Sequence, residues 1–179
     1  MSDILAELAT KIGEETDIGY APVERWSPEH CGELDIEIKA NGDWFYMGTP
    51  IKRQKLVKLF TTVLWRDAQG DGNHYLITPV EKIKIKVADT AFIATDILVA
   101  GTGAKQTIAV QTNLAGQVVI GTEHKIRFSH QDDQFMAYVG IRYGLEAKLT
   151  RSLCYQLADY MVERDGKFVL ISDNCEFAV

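Results

Sequence analysis

The side chains most often used for nucleophilic or metal chemistry are few in this sequence: four histidines and three cysteines. His30 and Cys31 are adjacent, but neighbouring side chains of an extended segment point to opposite faces, so this pair does not form a dyad by itself. No two histidines are one helical turn apart, and no Cys-x-x-Cys pair occurs. We therefore expect no catalytic residue, no metal and no cofactor, and a metal site assembled from residues distant in the sequence is one alternative. The other alternative is a small hydrolase or transferase in which His30 or Cys31 meets a distant partner.

A second set of candidate residues is cationic. Lys52, Arg53, Lys55, Lys58 and Arg66 form a basic cluster in a chain whose net charge is −6. Such a run is commonly a solvated helix face, but a guanidinium group also grips phosphate bidentately. The acidic balance of the whole chain disfavours an extended nucleic-acid surface, because such surfaces need clustered Lys and Arg. The expected partner is therefore a small anionic ligand and not a nucleic acid.

Aromatic side chains near the basic cluster offer flat apolar surface on which a ring can stack. Trp26, Trp44 and Tyr46 are the candidates, although aromatic residues of small domains are more often part of the core. The segment 78–82 adds hydrogen-bonding groups. Its hydroxyl, carboxylate and ammonium groups belong to Thr78, Glu81 and Lys82.

The elements expected to position these residues begin with a hairpin. Leu34, Ile36 and Ile38 alternate with charged residues, which predicts a strand with one buried face. Asn41-Gly42 predicts a two-residue turn, because both residue types tolerate positive φ. The aromatic segment 44–46 then predicts a return strand that Gly48 closes.

An amphipathic helix is predicted next. Thr49-Pro50 has the residues of a helix start, with a hydroxyl for capping and a proline in the first turn. The apolar residues Leu56, Phe60, Val63 and Leu64 then share one face, which we expect to pack on the Trp44 hairpin.

Much of this order returns near the C-terminus. With Ile51 aligned on Leu149, Arg53 corresponds to Arg151, and both predicted helices end at a polar turn. The alignment suggests a duplicated hairpin–helix–strand unit, in which the two copies cover each other's apolar faces and their junction forms a cleft. Arg53 and Arg151 would both face that cleft.

The remaining segments complete an α+β prediction. Ser2 can cap a short helix in which Leu5, Leu8 and Ile12 share a face. Beyond residue 82 the chain is β-patterned, and the predicted strands are 83–87, 91–99, 107–112, 118–120, 126–128 and 137–142. We expect them to form an antiparallel meander covered by a helix from about 149 to 162. The Gly-rich segment 101–105 predicts a hairpin turn and not a phosphate-binding loop, because both of its flanks are β-patterned.

These elements predict three parts of the chain. Residues 1–21 are an N-terminal helix and connection, 22–82 an N-terminal α+β domain, and 83–179 a C-terminal β-rich domain with its covering helix. No apolar run reaches the roughly 20 residues that a membrane span requires. The acidic N-terminus does not resemble a secretion signal, and the odd number of cysteines suggests reduced thiols. We therefore expect a cytoplasmic protein with no membrane association.

Several blocks of residues, in a fixed order from Pro22 over most of the chain, resemble the signature of an uncharacterised bacterial domain-of-unknown-function family. The blocks are Pro22-x-Glu24-x-Trp26-x-Pro28-x-His30-Cys31-Gly32, Asn41-Gly42-x-Trp44-x-Tyr46-x-Gly48-Thr49-Pro50-Ile51-x-Arg53, Leu56-Val57-x-Leu59-Phe60, Thr78-Pro79-Val80-Glu81-Lys82 and Arg142-x-Gly144-Leu145-Glu146-Ala147. One departure is Asn174, which stands where the family has glycine.

That resemblance implies a duplicated α+β core and a C-terminal domain similar to pleckstrin-homology-like folds. It also implies a nucleotide-type ligand site at the domain interface and a role in signal transduction, with a link to oxidative stress. No reaction is implied.

The sequence thus predicts a ligand-binding, regulatory protein without catalysis of its own. Arg53 and Arg151 would hold anionic oxygens, and an indole ring would stack on the ligand. A protein-interaction module with an exposed apolar patch or an open strand edge is a further alternative, and no protein partner is identified. The predicted ligand-binding residues are Trp26, His30, Trp44, Tyr46, Arg53, Thr78, Glu81, Lys82, Arg142 and Arg151.

Overall fold

The structure is a computed structural model that describes residues 5–7, 9–10, 12, 20–131 and 134–179. The chain divides into two compact units, Met1–Asp89 (unit 1) and Thr90–Val179 (unit 2). Leu5 and Ile12 are helical and buried, as their shared face predicts. Ser2 and Leu8 lie outside the described residues.

Apart from the helical residues near the N-terminus, the described part of unit 1 contains one six-stranded sheet and one α-helix. The sheet order is β3-β2-β1-β6-β5-β4, and every pair is antiparallel except β1–β6. Its elements are β1 (His30–Ile38), β2 (Trp44–Tyr46), β3 (Thr49–Pro50), α1 (Gln54–Thr62), β4 (Leu64–Arg66), β5 (His74–Ile77) and β6 (Glu81–Val87), preceded by a 3₁₀ turn at Val23–Arg25. Because β6 completes this sheet, unit 1 extends beyond the boundary expected near Lys82.

The first hairpin is confirmed, but its turn is longer than predicted. β1 and β2 pair in antiparallel register as far as Ile38 and Trp44, so the loop spans residues 39–43. Gly42 has φ of 86° and donates its N–H to the Lys39 carbonyl oxygen at 2.8 Å. Asn41 instead caps the loop, because its side-chain oxygen accepts the N–H of Asp43 at 3.1 Å.

The predicted helix start at Thr49-Pro50 is wrong. Met47 and Gly48 both have positive φ, and this tight turn returns the chain along β2 as the short edge strand β3. Proline is tolerated at such an edge, where its missing N–H breaks no ladder. Helix α1 starts after Arg53 and ends at Thr62, and Leu64 begins β4 instead of lying on the helix.

The apolar face of α1 packs as the sequence predicts. Leu56 and Phe60 are buried, and the Phe60 ring lies 6.1 Å from the Trp44 ring. The hairpin and the helix therefore share one core.

The described residues of unit 2, 90–131 and 134–179, form a six-stranded sheet, one α-helix and a separate three-stranded sheet. The six-stranded sheet has the order β10-β11-β12-β7-β8-β9, and the small sheet has the order β13-β14-β15. The elements are β7 (Phe92–Ala100), a 3₁₀ turn (Gly103–Lys105), β8 (Thr107–Thr112), β9 (Gln117–Val119), β10 (Ile126–Gln131), β11 (Gln134–Arg142), β12 (Leu145–Leu149), α2 (Arg151–Ala158), β13 (Met161–Arg164), β14 (Lys167–Ser172) and β15 (Cys175–Ala178).

Three details of unit 2 differ from the prediction. The sheet is not an antiparallel meander throughout, because β12 and β7 are parallel. Strand β12 was not predicted, although Leu145, Ala147 and Leu149 alternate with polar residues. The helix ends at Ala158, so Met161 starts a strand and not a last helical turn. Helix α2 does pack on the sheet, against β7, β11 and β12. The pleckstrin-homology-like likeness stays a prediction.

The same order of elements occurs in both units. An antiparallel strand pair leads to a helix, and three antiparallel strands follow: β4-β5-β6 in unit 1 and β13-β14-β15 in unit 2. This repeat fits the predicted duplication. Arg53 and Arg151 occupy corresponding positions, immediately before α1 and at the first residue of α2.

Candidate functional site

A cavity of about 480 Å³ lies in unit 2, where the beginning of β11, the end of β12 and the beginning of α2 meet. Its volume falls in the range of about 300–1,000 Å³ that small-molecule sites occupy. The lining residues are Gln134, Phe135, Met136, Lys148, Leu149, Arg151, Cys154 and Tyr155.

The cavity exists because β11 is longer than its neighbour β12. Their pairing runs from Arg142 opposite Leu145 to Tyr138 opposite Lys148. After Leu149 the chain leaves the sheet and enters α2. The first residues of β11 therefore extend past the end of β12, with β10 paired on their other side.

The hydrogen bonds of β11 show which side the backbone N–H and C=O groups of this protruding segment face. Gly140 donates its N–H to the Lys125 carbonyl oxygen on the β10 side, at 2.9 Å. The Ala137 N–H faces the opposite way, towards the Cys154 thiol of α2, whose pKa burial raises and this contact lowers. Backbone groups alternate in direction along a strand, so the N–H and C=O of Phe135 face the same side as those of Ala137. They therefore point towards the lining of the cavity.

Of the described residues that line this cavity, Arg151 and Lys148 are cationic and none is acidic. Arg151 is exposed, and its guanidinium donates a hydrogen bond to the Tyr155 hydroxyl at 3.4 Å while lying 5.9 Å from that ring. The Lys148 ammonium lies 5.9 Å from the centre of the Tyr138 ring. The positive charge of the exposed Arg151 favours an anion at the cavity.

The start of α2 adds to this positive field. Thr150 takes the N-cap position, but its side chain makes no capping hydrogen bond to the helix. The first amides of a helix then remain donors for a ligand, and the helix dipole favours negative charge there.

The rest of the lining is aromatic and apolar. The Phe135 ring is stacked on Phe128, with 5.5 Å between centroids and 15° between planes. Met136, Leu149 and Cys154 complete the apolar surface. Cys154 is buried, and burial raises the pKa of its thiol. This part of the cavity can hold the uncharged body of a ligand.

In unit 1, three of the predicted residues lie together at one end of the sheet. His30 is opposite Glu81 in the parallel β1–β6 pair, so their side chains share a face. Thr78 is buried and closes the turn into β6: its hydroxyl accepts the Glu81 N–H at 3.0 Å, and its own N–H bonds the Glu81 carbonyl oxygen at 2.8 Å. The hydroxyl of Thr78 thus stabilises a turn.

Lys82 also has intramolecular partners. Its ammonium lies 4.0 Å from the Tyr75 ring centre, 4.8 Å from that of Trp65 and 3.7 Å from the Asp67 carboxylate. The Tyr75 hydroxyl donates a hydrogen bond to Asp71, which lowers the pKa of that carboxyl to about 2. This arrangement connects β4, β5 and β6 through one cation–aromatic cluster.

Other predicted residues occupy different surroundings. Trp44 is a core residue that is only 3% exposed, so its ring is covered by the fold of unit 1. Trp26 and Tyr46 are half-buried, at the end of the 3₁₀ turn and on β2. Arg53 is exposed beside α1.

The two remaining arginines belong to unit 2. Arg142 lies on β11, with its guanidinium 5.3 Å from the Phe92 ring, whereas Arg151 lines the cavity. Since Arg53 is part of unit 1, its convergence with Arg151 on one ligand stays a prediction.

The adjacent pair at the start of β1 has the geometry expected from the sequence. His30 shares a face with Glu81, whereas Cys31, opposite Lys82, points to the other face. Both residues are exposed. Over the parts of the chain that the structure describes, no group of three or more His, Cys, Asp or Glu side chains is arranged to hold a metal ion.

Sequence reasoning identified Arg151 but missed the other lining residues. For two of them a signal was present in the alternation of segment 145–149, which places Lys148 on one face of a strand and Leu149 on the other. Phe135 and Tyr155 carried no comparable signal, because only the different lengths of β11 and β12 bring them to a cavity.

Together these features define a two-unit α+β protein built from a repeated strand pair, helix and three-stranded meander. Residues 21–90 match the family model described as domain of unknown function (DUF1285), N-terminal domain, and residues 91–179 match that of the C-terminal domain. The chain belongs to the DUF1285 family. No curated protein matches it.

Two crystal structures of DUF1285 family proteins are similar to this chain. The protein from Silicibacter pomeroyi DSS-3 is 37% identical, with a TM-score of 0.89 over 100% of this chain and 96% of the other. The protein from Shewanella baltica OS155 is 29% identical, with a TM-score of 0.54 over 70% of this chain and 91% of the other. No helix among the described residues is both long and apolar enough to span a membrane.

Proposed function

We propose that this protein is a regulatory, non-catalytic binding protein for a small anionic ligand, and that the cavity of unit 2 is its binding site. One observation carries the proposal. Among the lining residues that the structure describes, the cavity combines the exposed Arg151 guanidinium and an uncapped helix start with an apolar surface.

Each part of the cavity has a separate role in this proposal. Arg151 and the first amides of α2 hold anionic oxygens, because charge-assisted hydrogen bonds are about twice as strong as neutral ones. The rings of Phe135 and Tyr155 provide flat contact surface for the body of the ligand. The apolar residues exclude water, which strengthens the attraction between the ligand and the cations.

The family resemblance points to a nucleotide-type ligand and to signal transduction. Aromatic rings beside two cations suit a ligand in which a ring is attached to a phosphate. This support concerns chemistry alone, and the cavity would also accept a carboxylate on an apolar body. The participation of Trp26, His30, Arg53 and the segment 78–82 remains a separate proposal for unit 1.

A thermal-shift screen tests the proposal. The panel contains nucleoside phosphates, sugar phosphates and small carboxylates, and a ligand at one hundred times its Kd stabilises the protein by about 2.7 kcal/mol. Arg151→Gln should abolish the shift. Lys167→Gln is the matched control, because it removes one positive charge from an exposed position on β14. A panel without any shift, or equal shifts in both variants, would refute the proposal.

A further inference from the structure

We infer that the ligand of this cavity is the C-terminal end of an extended peptide, which pairs with the protruding segment of β11 and places its carboxylate beside Arg151. The inference rests on the proposed function and names the chemical class of its ligand. Three observations carry it. β11 has an open edge, Arg151 places a positive charge at one end of that edge, and an apolar surface lies next to both.

The open edge is the backbone of Phe135. Pairing between β11 and β12 stops at Tyr138 and Lys148, and the chain then turns away into α2. The N–H and C=O of Phe135 face the position that β12 would occupy if it continued beyond Leu149. Among the described residues, no backbone hydrogen bond occupies these two groups. A second extended chain can satisfy both of them, in the way that peptides add a strand to an exposed sheet edge.

The cationic end fixes the direction of the peptide. Arg151 and the uncapped amides of α2 lie where β12 ends. A peptide whose carboxylate reaches this point must run parallel to β11, from its first residue towards Tyr138. A terminal carboxylate has two oxygens in one plane, which matches the fork of a guanidinium.

The apolar surface selects the last side chain. Met136, Leu149 and Cys154 line the cavity beside the open edge. A terminal Val, Leu or Phe would cover this surface, whereas a terminal Asp would bring a second carboxylate into contact with apolar atoms. Burying that charge without its own partner is unfavourable.

A nucleotide uses only part of this arrangement. Its phosphate and its base can engage the cations and the rings, but neither one follows a strand. The polar backbone groups of Phe135 would then be covered without being paired, which is unfavourable for each buried group. A peptide terminus uses all three features at once, and this difference decides between the two ligand classes.

Isothermal titration with synthetic peptides tests the inference. The probes are four acetylated tetrapeptides that end in Val, Leu, Phe or Asp, each prepared with a free carboxylate and as the C-terminal amide, together with a nucleoside monophosphate. We expect at least one peptide with an apolar last residue and a free carboxylate to bind. Its amide should bind at least about tenfold more weakly, which corresponds to a loss of about 1.4 kcal/mol or more. The Asp peptide should not bind measurably.

Two variants connect binding to the proposed contacts. Phe135→Pro removes the N–H on the open side, which β10 does not use, and should weaken the free acid about tenfold. Phe135→Leu separates the two contributions, since it removes the ring but keeps the N–H and should therefore weaken binding less than Phe135→Pro does. In the unaltered protein, the amide proton of Phe135 should become protected from hydrogen exchange when the peptide is added, a readout that does not depend on how the proline variant folds.

The possible results separate this inference from the proposed function. If the nucleoside monophosphate binds and no peptide does, the inference is wrong and an anion site remains. If acid and amide bind equally, the carboxylate is not recognised and the inference is wrong, and binding of the nucleoside monophosphate then decides whether an anion site remains. If no probe binds and the Phe135 amide exchanges unchanged, both fail.

Discussion

The turn between β7 and β8 contains two glycines, and their alanine variants together measure the free-energy cost of one steric overlap. Gly101 and Gly103 both have positive φ, 72° and 58° respectively. A Cβ on Gly101 would overlap the Lys105 carbonyl oxygen and lie 3.1 Å from its carbonyl carbon, whereas a Cβ on Gly103 would meet nothing within 4 Å. Substituting alanine at each position therefore compares the same backbone strain with and without a collision.

The expected magnitudes follow from these two terms. Left-handed backbone costs an alanine roughly 1–2 kcal/mol, and the smaller entropy of the unfolded chain returns about 0.4–1 kcal/mol. Gly103→Ala should therefore reduce the free energy of unfolding by about 1 kcal/mol. Gly101→Ala carries the same cost and an overpacking cost of about 1–3 kcal/mol, because Lys105 is held in a 3₁₀ turn.

Urea unfolding followed by far-UV circular dichroism measures the difference. The tryptophans of the chain, Trp26, Trp44 and Trp65, all belong to unit 1, so tryptophan fluorescence alone would not report on this turn. With a slope of about 2 kcal/mol per M, an additional 2 kcal/mol lowers the midpoint by about 1 M. Equal midpoints for the two variants would refute the reasoning, because they would show that the carbonyl of Lys105 moves aside without cost.

Two further predictions concern titratable groups. The Tyr75 hydroxyl keeps the pKa of Asp71 at about 2, below the usual 3.8, so the carboxylate stabilises the fold above pH 3.8 and this contribution is lost as the pH falls towards 2. In Tyr75→Phe, a carboxyl chemical-shift titration should give Asp71 a higher pKa, closer to 3.8, and an unchanged midpoint would show that the hydroxyl is not the cause. Iodoacetamide at neutral pH should label the exposed Cys31 quickly and Cys154 only on unfolding, because Cys154 is buried and burial raises the pKa of its thiol. Equal labelling rates in the folded protein would contradict this order.

Local patterns were sufficient to predict many elements of the fold. The alternation in segment 34–38 predicted part of β1, and the limits predicted for segment 107–112 are those of β8. The Gly-rich segment 101–105 connects two antiparallel strands, as predicted, and is not followed by an α-helix. Asn174, which stands in place of a family glycine, has φ of 59°, a left-handed conformation that asparagine tolerates.

The errors have identifiable physical causes. Thr49-Pro50 satisfied the local requirements of a helix start, but the turn at Met47 and Gly48 placed these residues beside β2, where pairing determined their conformation. Both helices were predicted too long for a related reason. Val63 and Met161 continue the apolar spacing of a helix, yet the buried alternation of a following strand begins within the same few residues.

The cavity was less predictable than the fold. It depends on the difference in length between β11 and β12 and on the point where the chain enters α2. Neither quantity follows from residue types. Arg151 was found because the aligned repeat marked it, whereas Trp44 was chosen for its chemistry and proved to be a core side chain.

The repeat also explains why corresponding arginines need not have the same role. In unit 1, the segment before α1 pairs with β2 as far as Tyr46 opposite Thr49, and Ile51 donates its N–H to the Trp44 carbonyl oxygen at 2.8 Å. The backbone of β2 is therefore paired on both sides along its length, with β1 on one side and with β3 and Ile51 on the other. In unit 2, β11 continues past its partner, and the backbone of Phe135 faces the cavity beside Arg151. Duplication placed a cation at the start of both helices, but the longer strand of unit 2 gave only Arg151 an open edge beside it.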